Sequence, residues 1–417
     1  CPKDRYSMTT ILGIALALVI GAYGVEQCSE QGSCQVPPTL EELGVEGLSY
    51  LRDTPLTEGR ALGAKFRNFL TEDLVMYWDN GSPEGTYSGV VSALAGTATN
   101  SYEGHTFIFR KRNGEEVMRH TMEAGRSIYI IPPVEEHVKT SKFYKKTVEE
   151  MEFVEKYYKE NGTPWLSFYP RGPPVHHMWS ADYLGQVHHV ETPHGYLSCS
   201  PKDGVDCHGE KFNVTLTTIS LEPRIFLIED LLSEYEIDHI LKLGKATVSR
   251  STVGQGKNAY KSSTRTSATG WLRRDKTSTL NHIFGRFSSV LNISNDLLTH
   301  NKCAENLQIV HYQPNQYYAP HHDFGDSGSS PSARYLTLFI YIKAAEKEGG
   351  TSFPKAFGGR GLKVLPKAGS AILWYNMLPD GNGDDLSLHS GMHVEAGEKW
   401  GANLWVWDPL MSGARRR

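Results

Sequence analysis

One short segment of the chain carries three adjacent side chains that can bind a metal ion or move a proton. The segment QYYAPHHDF (Gln316–Phe324) contains His321, His322 and Asp323. In a β-strand, residues i and i+2 point to the same face. His321 and Asp323 can therefore hold one ion together while His322 points away. His389 follows Asp323 by 66 residues, and the three side chains predict a site with two imidazole ligands and one carboxylate ligand.

This ligand set is that of the non-haem Fe(II) facial triad, which leaves three octahedral positions for a 2-oxo acid and O₂. An H-x-D motif also occurs in solvated turns, and Gly325 and Asp326 follow this one. Lys399, ten residues after His389, favours the metal site because an ammonium group can neutralise the distal carboxylate of a 2-oxo acid. The alternative for Lys399 is an exposed lysine in a turn.

Strands must position these groups, and the sequence around them reads as strands. After Leu307 the segments LQIVHY, YLTLFIYI, SAILWY, HVEAG and NLWVW are separated by turn residues. Two amphipathic helices are predicted before them, at residues 233–243 and 278–291. The pattern indicates a β-sandwich or jelly roll flanked by helices. Three aromatic residues are candidates for lining the pocket, with ordinary packing in the core of the fold as the alternative: Tyr318, Trp374 and Trp400.

The first half of the chain predicts a separate, smaller domain. Between residues 60 and 133, short strand-like runs alternate with turn residues, including Asn80-Gly81 and Asn113-Gly114, as in hairpins. Residues 134–160 have the apolar spacing of a connecting helix. Residues 26–59 read as a linker with a short helix near residues 40–51. Residues 161–219 are irregular and rich in Pro, Gly and His; the histidines at 176–194 fit a packed loop or a second metal site.

The composition and the N-terminus bear on the compartment. The chain has 417 residues, 39% of them apolar, and a net charge of −4, so no global basic field recruits nucleic acid. An apolar run without charges (residues 9–25) predicts a signal peptide or a signal anchor within residues 1–25. Either one sends the rest to the lumen of the endoplasmic reticulum, or holds it at that membrane in type II orientation. Cys28/Cys34 and Cys199/Cys207 are spaced like local disulfides, and glycosylation sequons begin at Asn80, Asn161, Asn213 and Asn292.

From residue 220 to about 409 the chain resembles the catalytic domain of the 2-oxoglutarate/Fe(II)-dependent prolyl 4-hydroxylases. The matching segments include SSTRTSATGWL, LQIVHYQPNQYYAPHHDF, EGGTSFP, LPDGNGDDLSLHSG and GEKWGANLWVW. The resemblance implies a double-stranded β-helix and hydroxylation of peptidyl proline at C4, with succinate and CO₂ released. It implies Fe(II), 2-oxoglutarate and ascorbate as cofactors and a proline-containing peptide as partner. Residues 410–417 form a tail.

The resemblance also implies roles for individual residues. His321, Asp323 and His389 match the iron ligands, and Lys399 and Tyr312 match the residues that hold the distal carboxylate of 2-oxoglutarate. Thr337 matches a residue that lines the same pocket, and Arg334 matches a peptide contact. Trp407 stands where related enzymes carry a basic residue, which leaves the peptide preference open. Residues 250–270 match a mobile loop that covers the peptide.

Residues 60–133 resemble the β domain of the von Hippel–Lindau protein, which binds hydroxyproline peptides. The resemblance depends on NSYEGHTFIFR (residues 100–110). Ser101 and His105 match two hydroxyproline contacts of that family, whereas Phe107 stands in the place of a Trp. The alternative is that Ser101 and His105 are ordinary strand residues of a packing domain.

Together these patterns predict a mainly β protein of the α+β class, with a C-terminal double-stranded β-helix (jelly roll) flanked by helices and a small N-terminal β-sandwich. The predicted function is that of a prolyl 4-hydroxylase of the secretory pathway, bound to the membrane if the N-terminal segment is not cleaved. One alternative is a 2-oxoglutarate dioxygenase that acts on another residue. Another is a hydroxyproline-peptide binding protein whose oxygenase domain is inactive.

Overall fold

The computed structural model describes residues 27–28, 34–35, 39–56, 62–199, 209, 211–250, 266–300, 302–325 and 332–408. The predicted signal or anchor segment, most of the loop at 250–270, Cys207 and the C-terminal tail lie outside these residues. Within the described ranges, no helix combines the length and apolarity that a membrane crossing requires.

The N-terminal segment contributes three short strands. Strands β1 (Gln27–Cys28) and β2 (Cys34–Gln35) pair with Cys28 opposite Cys34. The short helix expected near residues 40–51 is wrong: this segment has a turn followed by strand β3 (Leu48–Tyr50), which pairs with Leu362–Val364. Gly47 explains the difference. Its φ of 80° is not helical, and a side chain at this position would collide with the Leu365 carbonyl oxygen.

Residues 62–131 form a β-sandwich of seven strands. They are β4 (Leu62–Asn68), β5 (Leu74–Trp78), β6 (Thr86–Val91), β7 (Ala95–Ser101), β8 (Thr106–Arg110), β9 (Glu116–Thr121) and β10 (Ile128–Ile131). One sheet has the order β10-β4-β7 and the other β6-β5-β8-β9. Alternate residues such as Ala64, Phe66, Phe107 and Phe109 are buried between the two sheets, as the period of two for half-buried strands requires.

Two helices follow the sandwich, α1 (Glu136–Lys139) and α2 (Lys142–Asn161). The Ser141 hydroxyl accepts a hydrogen bond from the Tyr144 N–H, which caps the start of α2, and Gly162 ends it in the left-handed conformation. The buried Glu150 of α2 pairs with Lys65 and Arg67 of β4, at 2.8 Å each. Helix α2 is therefore fixed to the sandwich by charge as well as by packing.

The described residues from 187 to 408 contain fifteen strands and two long helices. The strands are β11 (Val187–Thr192), β12 (Phe212–Ser220), β13 (Ile225–Ile228), β14 (Ser249–Arg250), β15 (Ala268–Leu272), β16 (Leu307–Tyr312), β17 (Tyr318–His321), β18 (Ala333–Lys343), β19 (Lys347–Glu348), β20 (Thr351–Phe353), β21 (Leu362–Val364), β22 (Ala371–Tyr375), β23 (His389–Gly391), β24 (Val394–Ala396) and β25 (Lys399–Asp408). The helices are α3 (Glu234–Lys245) and α4 (Ser278–Leu291), with 3₁₀ turns at Arg274–Lys276, Phe357–Gly359 and Asp385–Ser387.

Two sheets of this region face each other. The larger has the order β11-β12-β13-β22-β18-β25-β16-β15-β14 and the smaller β17-β23-β20-β21-β3. One apolar core lies between the larger sheet and helices α3 and α4, and a second lies between the two sheets. The predicted fold class, mainly β with a jelly roll flanked by helices, is confirmed. The space between the two sheets is where the chemically active side chains meet.

Candidate active site

The structure brings His321, Asp323 and His389 together at one end of the space between the sheets. Strands β17 and β23 pair with His321 opposite His389. The ligand atoms of the three residues all lie within 4.8 Å of one another. His321 Nε2 is 3.6 Å from Asp323 Oδ1, and His389 Nε2 is 3.5 Å from Asp323 Oδ2. This spacing suits ligand atoms that share one metal ion.

Backbone carbonyls fix the orientation of both imidazoles. Nδ1 of His321 lies 2.9 Å from the Ala319 carbonyl oxygen, and Nδ1 of His389 lies 2.9 Å from that of Ser387. A carbonyl oxygen only accepts, so each Nδ1 carries the proton and donates it. Each Nε2 is left with a lone pair that faces the Asp323 carboxylate, which is the arrangement that metal-binding histidines require.

A chain of hydrogen bonds holds the Asp323 carboxylate. The Thr337 hydroxyl and the Trp405 indole N–H both donate to Oδ2, at 2.8 Å each. Asn376 in turn donates to Thr337 and accepts from the Trp374 indole. All these side chains are buried, so the carboxylate has little freedom to rotate. Thr337, expected to line the pocket, contacts the triad directly.

Asp323 stays ionised although it is buried. Burial would raise its pKa, but the imidazoles of His389 and His321, the Arg334 guanidinium and the Trp405 N–H together hold the pKa of Asp323 well below its usual range. Burial lowers the pKa of His389, which the Asp323 charge only partly offsets. The site therefore presents an anionic carboxylate and a neutral imidazole, which are the protonation states in which these groups bind metals.

Lys399 lies on the inner face of the larger sheet, opposite Tyr312 in the register of β25 and β16. Its ammonium group donates to the Gly350 carbonyl at 3.1 Å and is surrounded by the rings of Tyr312, Phe339 and Tyr341. Burial lowers the pKa of Lys399 to about 7, and no carboxylate of the described residues pairs with it. An unpaired buried cation is costly, so this position fits an anionic ligand group.

Arg334 is held by Glu305 and not left free at the surface. Its guanidinium donates to both Glu305 oxygens, at 2.7 and 3.2 Å, and stacks over the Trp405 ring. Burial would lower the pKa of Arg334, but the Glu305 and Asp323 carboxylates raise it. Trp407 also donates to Glu305, at 2.8 Å. Trp407, which departs from the family pattern, thus helps to hold the Glu305 carboxylate that pairs with Arg334.

The turn that precedes His389 is fixed by residues from outside the larger and smaller sheets. The side chain of Asn382 accepts from the Leu166 N–H at 2.6 Å and donates to the Pro164 carbonyl at 2.9 Å. The Ser167 hydroxyl donates to the Gly381 carbonyl at 2.7 Å, and Lys65 of the sandwich donates to the Ser167 carbonyl at 3.2 Å. A continuous path of hydrogen bonds therefore joins the β-sandwich to this turn.

The histidine-rich segment packs against the catalytic sheets. Nε2 of His176 lies 3.0 Å from the Trp407 carbonyl oxygen, and the rings of His194 and His282 meet edge to face. Throughout the described part of the chain, His321, Asp323 and His389 form the one cluster of three potential ligands. Cys199, just after this segment, is disulfide-bonded, and its expected partner Cys207 lies outside the described residues.

In the sandwich, Ser101 is buried, at 2% exposure, and His105 is partly buried. The Ser101 hydroxyl lies 3.2 Å from His105 Nδ1, and the half-exposed rings of Trp78 and Tyr102 flank the His105 ring, with centroids 5.5 and 5.6 Å away. Phe107 is also buried, in the core. These residues form a small polar site with aromatic sides.

Some functional residues were missed by sequence reasoning. Trp405 shares the inward face of β25 with Lys399, and strand alternation from Lys399 was a signal that could have found it. Trp271 is 45% exposed, and its ring centroid lies 6.2 Å from that of Trp405. Asn376, Glu305 and Asn382 had no local signal, because their partners are distant in sequence.

Comparison with known proteins first defines the class. Residues 307–407 match the family model of the 2OG-Fe(II) oxygenase superfamily. This segment includes all three triad residues and Lys399. The protein is a 2-oxoglutarate-dependent dioxygenase, and Fe(II) and 2-oxoglutarate are the cofactors of its class.

The relatives then define the family. Probable prolyl 4-hydroxylase 3 of Arabidopsis thaliana is 32% identical over 227 residues, which is 49% of this chain and 75% of the relative. Human prolyl 4-hydroxylase subunit alpha-3 is 34% identical over 197 residues, 45% of this chain and 34% of the relative. A solved viral collagen prolyl hydroxylase from Paramecium bursaria Chlorella virus-1 is 26% identical, covering 44% of this chain and 95% of that one at a TM-score of 0.35. The chain belongs to the prolyl 4-hydroxylase family.

Proposed function

We propose that the chain hydroxylates peptidyl proline at C4 in proteins of the secretory pathway. One observation carries the proposal: a His-Asp-His cluster with its metal-binding atoms converging shares a buried space with Lys399, a lysine without a carboxylate partner among the described residues. The first group suits Fe(II) and the second suits the distal carboxylate of 2-oxoglutarate. Both are needed for the family's reaction.

His321, Asp323 and His389 hold Fe(II) in this proposal, and Lys399 with Tyr312 holds 2-oxoglutarate. Bound there, the metal and the co-substrate supply O₂ activation and transfer of one oxygen atom to the substrate, with 2-oxoglutarate converted to succinate and CO₂. The Ala319 and Ser387 carbonyls keep the two imidazoles in the binding tautomer. Thr337 and Trp405 keep the carboxylate in place, and the aromatic rings around Lys399 exclude water.

The peptide is proposed to cross the open end of the two sheets. Trp271 is 45% exposed and lies beside the buried Trp405, and an exposed aromatic face is the usual platform for proline-rich segments. Arg334 is engaged by Glu305 and Trp407. Arg334 therefore contributes to peptide binding by holding Trp405 in place, and its remaining N–H donors are available to a peptide carbonyl.

The secretory compartment and the glycoprotein assignment are also proposals. They are supported by the apolar run at residues 9–25, by the disulfide bond of Cys199, and by exposure of the sequon residues. The four asparagines are all exposed: Asn80, Asn161, Asn213 and Asn292. Attachment to the membrane of the endoplasmic reticulum requires that the apolar run is retained.

A second proposed activity belongs to the sandwich, which would retain hydroxyproline-containing peptides on the enzyme. The hydrogen-bonding pair of Ser101 and His105 beside two half-exposed aromatic rings favours it. The hydroxyl group of hydroxyproline needs a polar partner, and its pyrrolidine ring needs an apolar surface. Binding of a hydroxylated peptide, compared with its unmodified form, measures this activity.

One reaction separates the proposed function from its alternatives. The lumenal part of the chain is incubated with Fe(II), 2-oxoglutarate, ascorbate and proline-rich or collagen-like peptides, and the products are located by mass spectrometry. A gain of one oxygen atom on proline supports the proposal, whereas a gain on another residue indicates a different dioxygenase. Peptide binding without any succinate indicates a binding protein with an inactive oxygenase domain.

A further inference from the structure

His322, the residue between two members of the triad, makes a contact that the proposed chemistry does not use. Its side chain is only 7% exposed, and its Nε2 lies 3.0 Å from the Asp385 carbonyl oxygen and 3.4 Å from Oδ1 of the same residue. A carbonyl oxygen only accepts, so Nε2 carries a proton and donates it. The segment that holds two triad residues is thereby joined to the turn that precedes the third.

The β-ladder does not extend to these two turns. Strand β17 ends at His321 and strand β23 begins at His389. The strands pair at Tyr318–Gly391 and His321–His389, with an irregular register between these pairs. Asp323 therefore lies in a turn beyond the ladder, and a 3₁₀ turn at residues 385–387 precedes His389. Contacts outside the ladder must set the distance between the two turns.

Lys355 holds the 3₁₀ turn from another side. It follows strand β20, whose antiparallel pairing with β23 places the end of β20 beside the residues that precede His389. Its ammonium group donates to both carboxylate oxygens of Asp385, at 2.9 Å each, and only 7% of its side chain is exposed. Burial would raise the pKa of Asp385, but His322 and Lys355 together hold it below its usual range. Asp385 therefore forms a charged pair that fixes the turn.

The same turn orients a triad residue. The Ser387 carbonyl, two residues after Asp385, accepts the proton of His389 Nδ1 at 2.9 Å. A shift of the turn would move this carbonyl and rotate the imidazole away from Asp323. Groups that orient ligands in this indirect way typically contribute about 10- to 100-fold in metal affinity or activity.

We propose that His322 is a positioning residue of the metal site. Its bond to Asp385 sets the separation between the H-x-D segment and the turn that precedes His389, and Lys355 fixes that turn in place. The inference rests on the part of the proposed function that assigns Fe(II) to the triad, and it does not depend on the identity of the substrate.

The test measures metal binding to the full chain without peptide, by anaerobic titration with Fe(II) and with Co(II), whose visible absorption reports the coordination geometry. His322→Phe keeps a ring but loses the N–H donor, so metal affinity should fall about tenfold and the Co(II) spectrum should change. His322→Gln, whose amide can donate to the same carbonyl, should restore most of the affinity. His120→Phe is the matched control, because Nε2 of His120 also lies 3.0 Å from a backbone carbonyl oxygen, that of Ile130, but in the sandwich.

A second pair of variants keeps the proposal testable if His322→Phe does not fold. Lys355→Met should weaken metal binding in the same direction, and Lys355→Arg should restore it. Unaltered metal affinity in His322→Phe or in Lys355→Met would overturn the positioning role, as would equal losses in His322→Phe and His120→Phe.

The outcome is separable from that of the proposed function. Weaker metal binding in His322→Phe, together with no hydroxyproline formed by the wild-type chain, would leave the positioning role standing and remove the proposed function. Hydroxyproline formed by the wild type, together with unaltered metal affinity in His322→Phe, would do the reverse.

Discussion

The catalytic sheets and the β-sandwich each present a polar site with aromatic neighbours, but only the site between the catalytic sheets contains buried charged side chains. Lys399 and Asp323 are 2% and 5% exposed. Burial lowers the pKa of Lys399, whereas neighbouring groups hold the pKa of Asp323 below its usual range, so the Lys399 charge is the one that the fold leaves costly. In the sandwich, Ser101 is also only 2% exposed, but it is a neutral hydroxyl that meets His105 beside two half-exposed rings. The buried ammonium group of Lys399 needs an anionic ligand to offset its desolvation, whereas the neutral Ser101 hydroxyl needs none. Changes in the first should therefore affect chemistry, and changes in the second should affect peptide retention.

The largest effect is expected from His321→Ala, which removes an imidazole from the triad. Outer contacts of metal ligands already contribute about 10- to 100-fold in affinity or activity, so loss of a ligand should lower turnover by more than that and weaken Fe(II) binding. Succinate formation and Fe(II) titration measure both. His137→Ala, a change at an exposed histidine of α1, should retain full activity; comparable activity in His321→Ala would remove this residue from the triad.

The next effect is expected from Lys399→Ala. Removal of the buried cation should raise the KM for 2-oxoglutarate by roughly 10- to 100-fold, the value of a charge-assisted hydrogen bond, with a smaller effect on the peptide KM. Lys367→Ala, at an exposed lysine, is the matched control. An unchanged 2-oxoglutarate requirement would contradict the assigned role of Lys399.

The same lysine predicts a pH dependence. Burial lowers the pKa of Lys399 to about 7, and only the protonated form attracts the distal carboxylate. Affinity for 2-oxoglutarate should therefore fall as the pH rises above neutrality, by roughly tenfold between pH 7 and pH 8.5. Calorimetry over this range is the measurement. In Lys399→Arg the cation does not titrate, so an equal loss of affinity in that variant would assign the pH effect to another group.

A smaller effect is expected where the two regions meet. Asn382→Ala removes the bonds to Leu166 and Pro164, which should lower the free energy of unfolding by about 1–3 kcal/mol. It should also lower turnover a few-fold by loosening the turn before His389. Urea unfolding and steady-state kinetics are compared with the wild type. Unaltered stability would mean that the bonds of Asn382 to Leu166 and Pro164 do not support this turn.

The smallest effect on chemistry is expected from His105→Ala. Peptide affinity should fall while 2-oxoglutarate turnover without peptide stays the same, because His105 contacts Ser101, Trp78 and Tyr102 of the sandwich and the triad lies in the catalytic sheets. Binding of a hydroxyproline peptide to this variant and to His137→Ala makes the comparison. If His105→Ala binds the peptide as tightly as the wild type does, Ser101 and His105 are ordinary residues of a packing domain.

Residue types and spacing predicted the triad and Lys399, because strand alternation and fixed separations are local properties of the sequence. Helix α4 and the start of α3 were also predicted, since an amphipathic pattern lies within each segment. The network around Asp323 was not, because Thr337 and Trp405 reach it only through the register of β18 and β25. The Asn382 contacts join residues more than 200 positions apart, and strand β3 formed where a helix was expected because its partner lies in β21.

The most direct test of the central claim is the ratio of two products in one reaction. Succinate and 4-hydroxyproline are counted together after incubation of the chain with Fe(II), 2-oxoglutarate, O₂ and a proline-rich peptide. If the triad, the 2-oxoglutarate site at Lys399 and a peptide site act as one centre, the two products should form in equal amounts and disappear together in His321→Ala. Succinate that forms without hydroxyproline across the peptide series, or hydroxyproline that persists in His321→Ala, would contradict this account.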